Sequence, residues 1–242
     1  MDSLSFLVVT LISGAIAGTI FGFINLVIVE PYLDKAIEIE VQNRINANEK
    51  VNSEEHNNYR FWQKSGEVAA GTILGMAFGS LLGIVFAFGR KTLPGSNNLK
   101  KAIILSGIIW LVIFMIPAIK YPANPPTVGD PDTISYRQYL FISFILISGT
   151  SALALSIIYK KMKINPSLKL IIVSIIYTII MIGAFVVVPP NPDEITAPMD
   201  LVNGFRIASM FTMAIFWIIL GITFGLIWDK IRPHDPTQYK TV

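Results

Sequence analysis

Seven side chains in the polar connectors of this sequence have the chemistry of metal ligands. Carboxylates with an occasional imidazole suit hard or borderline divalent cations. Asp130 and Asp132 come first among them, because the surrounding prolines stiffen the backbone that presents them. The alternative for each residue is that a connector needs polar side chains to stay hydrated, and Asp34 and Asp200 are open to the same two interpretations. The seven are Asp130, Asp132, Glu30, Glu38, Asp193, Glu194 and His56.

The elements that must position these residues are long and apolar. Of the 242 residues, 53% are hydrophobic and 14% are charged, against about 25% charged in an average soluble domain. Six runs reach the about 17–25 apolar residues that a helix needs to cross a bilayer. The sequence therefore predicts an all-α integral membrane protein, with residues 1–242 forming a single polytopic membrane domain in contact with the lipid bilayer. Its six transmembrane helices are expected at 4–29, 67–88, 102–119, 139–159, 168–188 and 207–228.

Lys and Arg are distributed unevenly between the two sets of connectors. The connectors after the second and fourth runs and the C-terminal tail hold eleven of them, whereas the short connectors on the other face hold three, Lys120, Arg137 and Arg206. The positive-inside rule then places both termini in the cytoplasm and the connectors after runs one, three and five outside. The predicted location is the cytoplasmic membrane of the cell. We expect the first run to be a retained helix and not a signal peptide, because no Lys or Arg precedes Lys35.

The first outer connector, residues 30–66, is predicted to have two parts. It begins as an amphipathic helix, with apolar residues at every fourth position from Leu33 to Ile45, and such a helix suits the membrane surface. After Asn46 the composition turns to Asn, Glu, Lys and Ser through His56, which predicts a mobile linker.

All three outer connectors share a pattern at their ends. The second, Tyr121–Gln138, and the third, Pro189–Arg206, contain an Asn-Pro among prolines, continue through carboxylates and end in an aromatic residue beside an Arg. The first connector has Glu30-Pro31 at one end and Tyr59-Arg60 at the other. The pattern predicts three helical hairpins in one orientation, each closed outside by a turn that starts with proline. The alternative is that prolines, aromatics and Arg collect independently at membrane helix ends.

Four residues of these connectors are predicted to position the loops. We expect Arg137 and Arg206 to bind carboxylates of neighbouring turns, because guanidinium groups form paired hydrogen bonds with them. Pro125 and Gly129 belong to the same loop as Arg137.

The first two helices carry glycines at four-residue spacing. Small residues in this pattern let two membrane helices approach closely. We predict that these helices pack as an antiparallel hairpin and that Gly75→Leu separates them, while the alternative is a ligand path along the glycines. The glycines are Gly14, Gly18, Gly22, Gly71, Gly75, Gly79 and Gly83.

Enzyme and nucleotide chemistry have little support in this sequence. It contains no cysteine, which excludes disulfides, thiolate metal ligands and thiol nucleophiles. The segment closest to a phosphate-binding loop, Gly89–Thr92, has Arg where Lys should follow Gly and lies at a helix exit. The two histidines, His56 and His234, are expected on opposite sides of the membrane. We therefore predict no enzyme, no ATP site in this chain, no tightly bound cofactor and no nucleic-acid partner.

The predicted membrane interior has no charged side chain apart from Glu67 at the end of the second run. Ion-translocating proteins usually place ionisable groups near the bilayer centre. A path through this chain would instead use amides, hydroxyls, backbone carbonyls or a partner's side chains, and the polar candidates include Asn25, Ser148 and Tyr177. This composition favours a subunit over a complete transporter.

The second outer connector resembles the signature loop of the CbtA family of probable cobalt transporter subunits. The similarity covers IPAIKYPANPPTVGDPDTI, from Ile116, and the following Tyr136-Arg137-Gln138. The glycine-rich first helix that leads to Glu30-Pro31 also resembles the family's opening, so the resemblance spans most of the chain. The matching loop positions are Pro117, Pro122, Pro125, Gly129, Asp130 and Arg137.

The resemblance implies a multi-pass membrane subunit for cobalt uptake, with Co²⁺ as the transported ion. It also implies a short membrane partner with a histidine motif, which the name CbtB denotes. The resulting hypothesis is a subunit of a Co²⁺ uptake transporter whose acidic outer loops form the ion entry site. The alternative is a non-transporting structural or scaffolding subunit of another membrane complex, with the outer turns as docking surfaces.

Overall fold

The computed structural model describes residues 2–48, 52–126 and 128–233, which form helices and no strands. A π-helical turn, Leu111–Met115, joins the fourth helix to the fifth, and a short 3-10 turn, Pro131–Thr133, precedes the sixth. The helices are α1 (Ser3–Ile28), α2 (Glu30–Asn46), α3 (Ser53–Gly89), α4 (Asn98–Trp110), α5 (Ile116–Lys120), α6 (Ile134–Lys161), α7 (Pro166–Val187) and α8 (Met199–Ile231).

Six helical segments in the described part of the chain are long and apolar enough to cross a membrane. This confirms the prediction of an all-helical chain with six such helices. Most of the observed helices are longer than the predicted apolar runs. A membrane helix usually continues past its apolar run into polar turns at its ends. They are Ser3–Ile28, Asn57–Gly89, Asn98–Lys120, Pro131–Lys161, Pro166–Val187 and Met199–Ile231.

The first connector is more helical than the sequence indicates. Its first part is α2, with Pro31 in the first turn, where a missing N–H costs no helical hydrogen bond. The predicted linker is shorter than expected, since α3 already begins at Ser53 and has 37 residues. At 1.5 Å per residue, α3 is about 55 Å long and exceeds a hydrocarbon core of about 30 Å, so its polar first turns need not enter the lipid.

The described residues form two compact units. Those of the first unit lie within Met1–Ile108, Pro125–Thr127 and Pro198–Val242, and those of the second lie within Ile109–Asn124 and Val128–Ala197. The first therefore contains α1, α2, α3, α8 and most of α4. The second contains the π-helical turn, α5, α6 and α7. The single membrane domain stays a prediction.

In the first unit, α1 packs directly on α3. A Cβ on Gly22 would lie 2.7 Å from Cα of Val68, and a Cβ on Gly71 would lie 2.8 Å from the carbonyl oxygen of Gly18. The two backbones are in contact, which leaves no room for a side chain at these positions. All seven predicted glycines, Gly14, Gly18, Gly22, Gly71, Gly75, Gly79 and Gly83, face residues of the opposite helix.

The aromatic face of α8 completes the first unit. Phe216, Trp217, Phe224 and Trp228 are buried along it. The ring of Phe86 in α3 lies 4.9 Å from the ring of Trp228, nearly perpendicular to it. Edge-to-face contacts of this kind add to the burial of apolar surface.

In the second unit, polar contacts attach α7 to the end of α5. The ammonium group of Lys120 donates to the carbonyl oxygen of Phe185 at 2.6 Å, and the Tyr121 hydroxyl donates to the carbonyl oxygen of Pro189. The last carbonyls of a helix have no partner within it, and a cation at that end is favourable. These contacts hold the start of one proline-rich loop against the start of the other.

Candidate functional site

Two carboxylates of α2 and two cations of α3 form the α2–α3 ion-pair cluster: Glu30, Asp34, Arg60 and Lys64. The Arg60 guanidinium donates to Glu30 and, at 2.8 Å, to Asp34. The Lys64 ammonium donates to Asp34 at 2.7 Å and lies 3.9 Å from Glu30. Four-residue spacing puts each pair on one face of its helix, so the two faces meet with equal and opposite charge.

The carboxylates of this cluster are held by the two cations. Glu30 is 5% exposed and has the Arg60 guanidinium beside it, the kind of partner that a buried carboxylate needs. Burial by itself would raise the pKa of Asp34, but the hydrogen bonds from Lys64 and Arg60 outweigh burial and hold the pKa below its ordinary value. Both carboxylates are thus used to attach α2 to α3.

The second of the proline-rich connectors, Tyr121–Gln138, and the third, Pro189–Arg206, are joined by the interloop cluster, which consists of Asp130, Thr133, Arg137 and Asp193. Nε of Arg137 lies 2.9 Å from Oδ2 of Asp193, and the Thr133 hydroxyl lies 2.7 Å from the same oxygen. The backbone N–H of Asp130 donates to that carboxylate at 3.2 Å. The Asp193 side chain is 6% exposed. One carboxylate of the third loop therefore organises the start of α6.

Arg137 also orders the backbone of its own loop. Its Nη2 donates to the carbonyl oxygen of Asp130 at 3.0 Å. Gly129 makes room for the guanidinium: it has φ +95°, and a Cβ there would lie 2.5 Å from Nη1 of Arg137 and from Oδ2 of Asp193. A side chain at this position would meet both steric and backbone strain.

The predicted metal ligands divide into two groups. Glu30 and Asp193 are paired with arginines in the two clusters. Four others, Asp130, Asp132, Glu38 and Glu194, are exposed, and none of them forms an ion pair with a described residue. The side chain of His56 lies outside what the structure describes, although its backbone belongs to α3.

The exposed aspartates are close in sequence but do not form a ready-made ion site. The Asp130 carboxylate accepts the N–H of Asp132 at 2.9 Å and caps the 3-10 turn. Among the side chains that the structure describes, which do not include those of residues 53, 55 and 56, no three His, Asp or Glu come together as a metal-binding group.

The remaining loop-positioning candidates lie in the first unit. Pro125 is buried in the second loop, and Arg206 is partly buried in the first turns of α8. The paired role predicted for Arg206 stays a prediction.

Polar groups of the predicted membrane interior have different surroundings. The side-chain oxygen of Asn25 in α1 is buried and accepts no hydrogen bond from the described residues. In the second unit, the hydroxyls of Ser148 and Tyr177 lie 2.7 Å apart.

Sequence reasoning did not find the partners of the paired carboxylates. Arg60, Lys64 and Thr133 were not among the predicted site residues, yet each contacts one of them. A usable signal was present for the first two, because α2 carries two acidic residues four positions apart and α3 carries two basic residues at the same spacing. Thr133 carries no signal of its own, since a hydroxyl near a helix start is common.

Comparison with known protein families matches residues 4–229 to CbtA, described as "Probable cobalt transporter subunit (CbtA)". The chain belongs to the CbtA family. With its six membrane-length helices, this CbtA-family chain is a multi-pass membrane protein, and its family is one of transporter subunits and not of enzymes. No curated protein and no solved structure matches the chain.

Proposed function

We propose that this chain is a membrane subunit of a Co²⁺ uptake transporter in the cytoplasmic membrane. The observation that carries the proposal is the match to the CbtA family over residues 4–229, almost the full length of the chain. The uneven distribution of Lys and Arg supports an orientation with both termini in the cytoplasm and with three helical hairpins closed on the outside.

The exposed carboxylates of the outer loops are the proposed first contact for the ion. Glu30 and Asp193 are already neutralised by arginines, which favours Asp130, Asp132, Glu38 and Glu194. A set of separate, hydrated carboxylates attracts a divalent cation and releases it again without binding it tightly. His56 remains a candidate imidazole ligand on sequence grounds.

A partner protein belongs to the proposal. Among the candidate ligands of this chain, His56 provides the only imidazole, and the sequence has two histidines in all. A short membrane protein with a histidine motif, as the resemblance to the family implies, would supply the ligands that bind Co²⁺ more tightly.

Uptake of Co²⁺ into liposomes that contain the purified chain tests this function. We expect uptake above that of empty liposomes, with the chain alone or together with the short partner. Absence of both Co²⁺ uptake and Co²⁺ binding under both conditions would contradict the proposal and favour a scaffolding subunit.

The carboxylates are tested by changing Asp130 and Asp132 together to Asn. Asn keeps an oxygen that can cap the 3-10 turn but removes both charges, so the loop should fold while attracting Co²⁺ less strongly. We expect a severalfold higher half-saturating Co²⁺ concentration with unchanged amounts of protein in the membrane.

The control for the double variant is Asp229→Asn. It removes a charge near the proposed cytoplasmic end and keeps an acceptor for the amide of Asn98, 2.7 Å away. An equal effect of this control, or no effect of the double variant, would contradict the role of the outer aspartates.

A further inference from the structure

The hydrogen-bond pattern of the π-helical turn and the position of Pro117 indicate that one backbone carbonyl of the second unit lacks its donor from the same helix. In the π-helical turn, the carbonyl oxygen of Leu111 accepts the N–H of Ile116, five residues on. The next carbonyl, that of Val112, would accept from residue 117 by the same rule. That residue is Pro117, which has no N–H. The proline therefore explains why the Val112 carbonyl needs a partner from another helix.

Two hydroxyl groups are linked to this carbonyl by successive hydrogen bonds, and the donor of each bond can be assigned. Ser148 donates its hydroxyl hydrogen to the carbonyl oxygen of Val112. The oxygen of Ser148 is also 2.7 Å from the hydroxyl oxygen of Tyr177. Because Ser148 has one hydrogen and has already donated it, Tyr177 must be the donor in the second bond. All donors are then used, and the three oxygens keep only lone pairs to offer.

The two hydroxyl groups lie at the middle of their helices. Ser148 lies at the middle of α6 (Ile134–Lys161), and Tyr177 lies at the middle of α7 (Pro166–Val187). Ser148 is fully buried. Polar groups at the depth of the bilayer centre are unfavourable unless they are paired or functional. The need of the Val112 carbonyl for a donor explains the presence of the Ser148 hydroxyl at this depth. It does not explain the presence of the Tyr177 hydroxyl.

We propose that the oxygens of Val112, Ser148 and Tyr177 form an interior step on the path of a partly hydrated divalent cation. The proposal rests on the proposed function, of which it names the route. A group of neutral oxygens with no free donor attracts a cation, and its lone pairs can also accept hydrogen bonds from the water bound to that cation. Binding by neutral oxygens is weak, and this suits a point of passage, where an ion must leave as readily as it enters.

Uptake of Co²⁺ by the full-length Tyr177→Phe variant in liposomes tests the proposal, under conditions in which the wild type takes up Co²⁺. The variant keeps the ring and loses the oxygen. We expect the maximal uptake rate to fall by about tenfold, as for the loss of one polar interaction with the ion. The half-saturating Co²⁺ concentration should not change, because the outer loops are intact. Ser148→Ala should also lower the maximal rate.

The matched controls are Tyr139→Phe and Ser156→Ala in α6. Tyr139 is 70% exposed, and Ser156 donates to the carbonyl of Leu153 within its own helix. We expect both controls to transport like the wild type.

The outcomes separate this inference from the function on which it rests. A Tyr177→Phe variant with a lower melting temperature but a wild-type maximal rate would overturn the interior step and leave the transport function in place. Equal losses in Tyr177→Phe and Tyr139→Phe would also overturn it. A wild type without Co²⁺ uptake would overturn the proposed function itself, and the interior step with it.

Discussion

The side chain of Asp193 has a structural use that its residue type does not indicate. It is 6% exposed and is held by Arg137 at 2.9 Å and by the Thr133 hydroxyl. The guanidinium beside this carboxylate compensates its charge, and hydrogen bonds occupy its oxygens. At the scale of single residues, the neighbours of an acidic side chain, and not its residue type, thus decide whether it is paired with an arginine or exposed.

The fit around Gly129 gives a prediction at this scale. Gly129→Ala should lower the melting temperature of the detergent-purified protein, because the left-handed backbone and the lack of space beside Arg137 together cost about 1–3 kcal/mol. The control is Gly149→Ala in α6, where a Cβ would meet nothing within 4 Å. If the two variants melt at the same temperature, Gly129 is not needed for the interloop cluster.

At the scale of elements, the helices are held together in two different ways. Between α1 and α3, glycines bring the backbones into contact, and dispersion over many atoms is the main attraction. Between α2 and α3, the contact consists of the four charged groups of the α2–α3 ion-pair cluster. The α1–α3 contact should therefore be disrupted by added side-chain volume, and the α2–α3 contact by the removal of a charge.

The glycine contact predicts the effect of added volume at Gly75. A Cβ there would lie 2.6 Å from Cα of Gly18, so Gly75→Leu should force α1 away from α3 and destabilise the protein by about 1–3 kcal/mol or more. Thermal unfolding in detergent measures the change. Gly66→Leu in the same helix is the matched control, since a Cβ at Gly66 meets nothing within 4 Å, and it should unfold like the wild type. Similar destabilisation of both variants would show that α3 tolerates Leu poorly for other reasons.

At the scale of the whole molecule, orientation in the membrane decides which loops meet external ions. The proposed orientation depends on the number of Lys and Arg residues. Eleven lie in the connectors after the second and fourth apolar runs and in the C-terminal tail, and three lie in the short connectors on the other face. The chain has no cysteine, so single introduced cysteines report their side of the membrane without background.

Thiol labelling in intact cells tests this orientation. We expect Ala123→Cys, in the exposed second outer loop, to react with a membrane-impermeant maleimide added outside. Lys163→Cys, in the exposed connector between α6 and α7, should react only after the membrane is opened. Labelling of Lys163→Cys in intact cells would reverse the orientation and remove the outer carboxylates from the entry side.

The sequence by itself determined the six membrane-length helices, the helical start of the first connector and the family. These features depend on the local run of apolar residues and on a motif within one loop, both of which can be read without knowing which distant residues meet. The extent of α3 was underestimated, because its polar first turns have no apolar pattern, and their contacts with α2 through Arg60 and Lys64 cannot be read from the local sequence.

Only the tertiary structure decided which acidic residues are neutralised and which remain exposed. Asp193 meets Arg137, and Glu30 meets Arg60, across long stretches of chain whose path the local sequence does not specify. The partner of the Val112 carbonyl also comes from a distant part of the sequence. Pro117 removes its donor by a rule that the sequence contains, but the choice of Ser148 as the replacement depends on how α6 packs beside the π-helical turn.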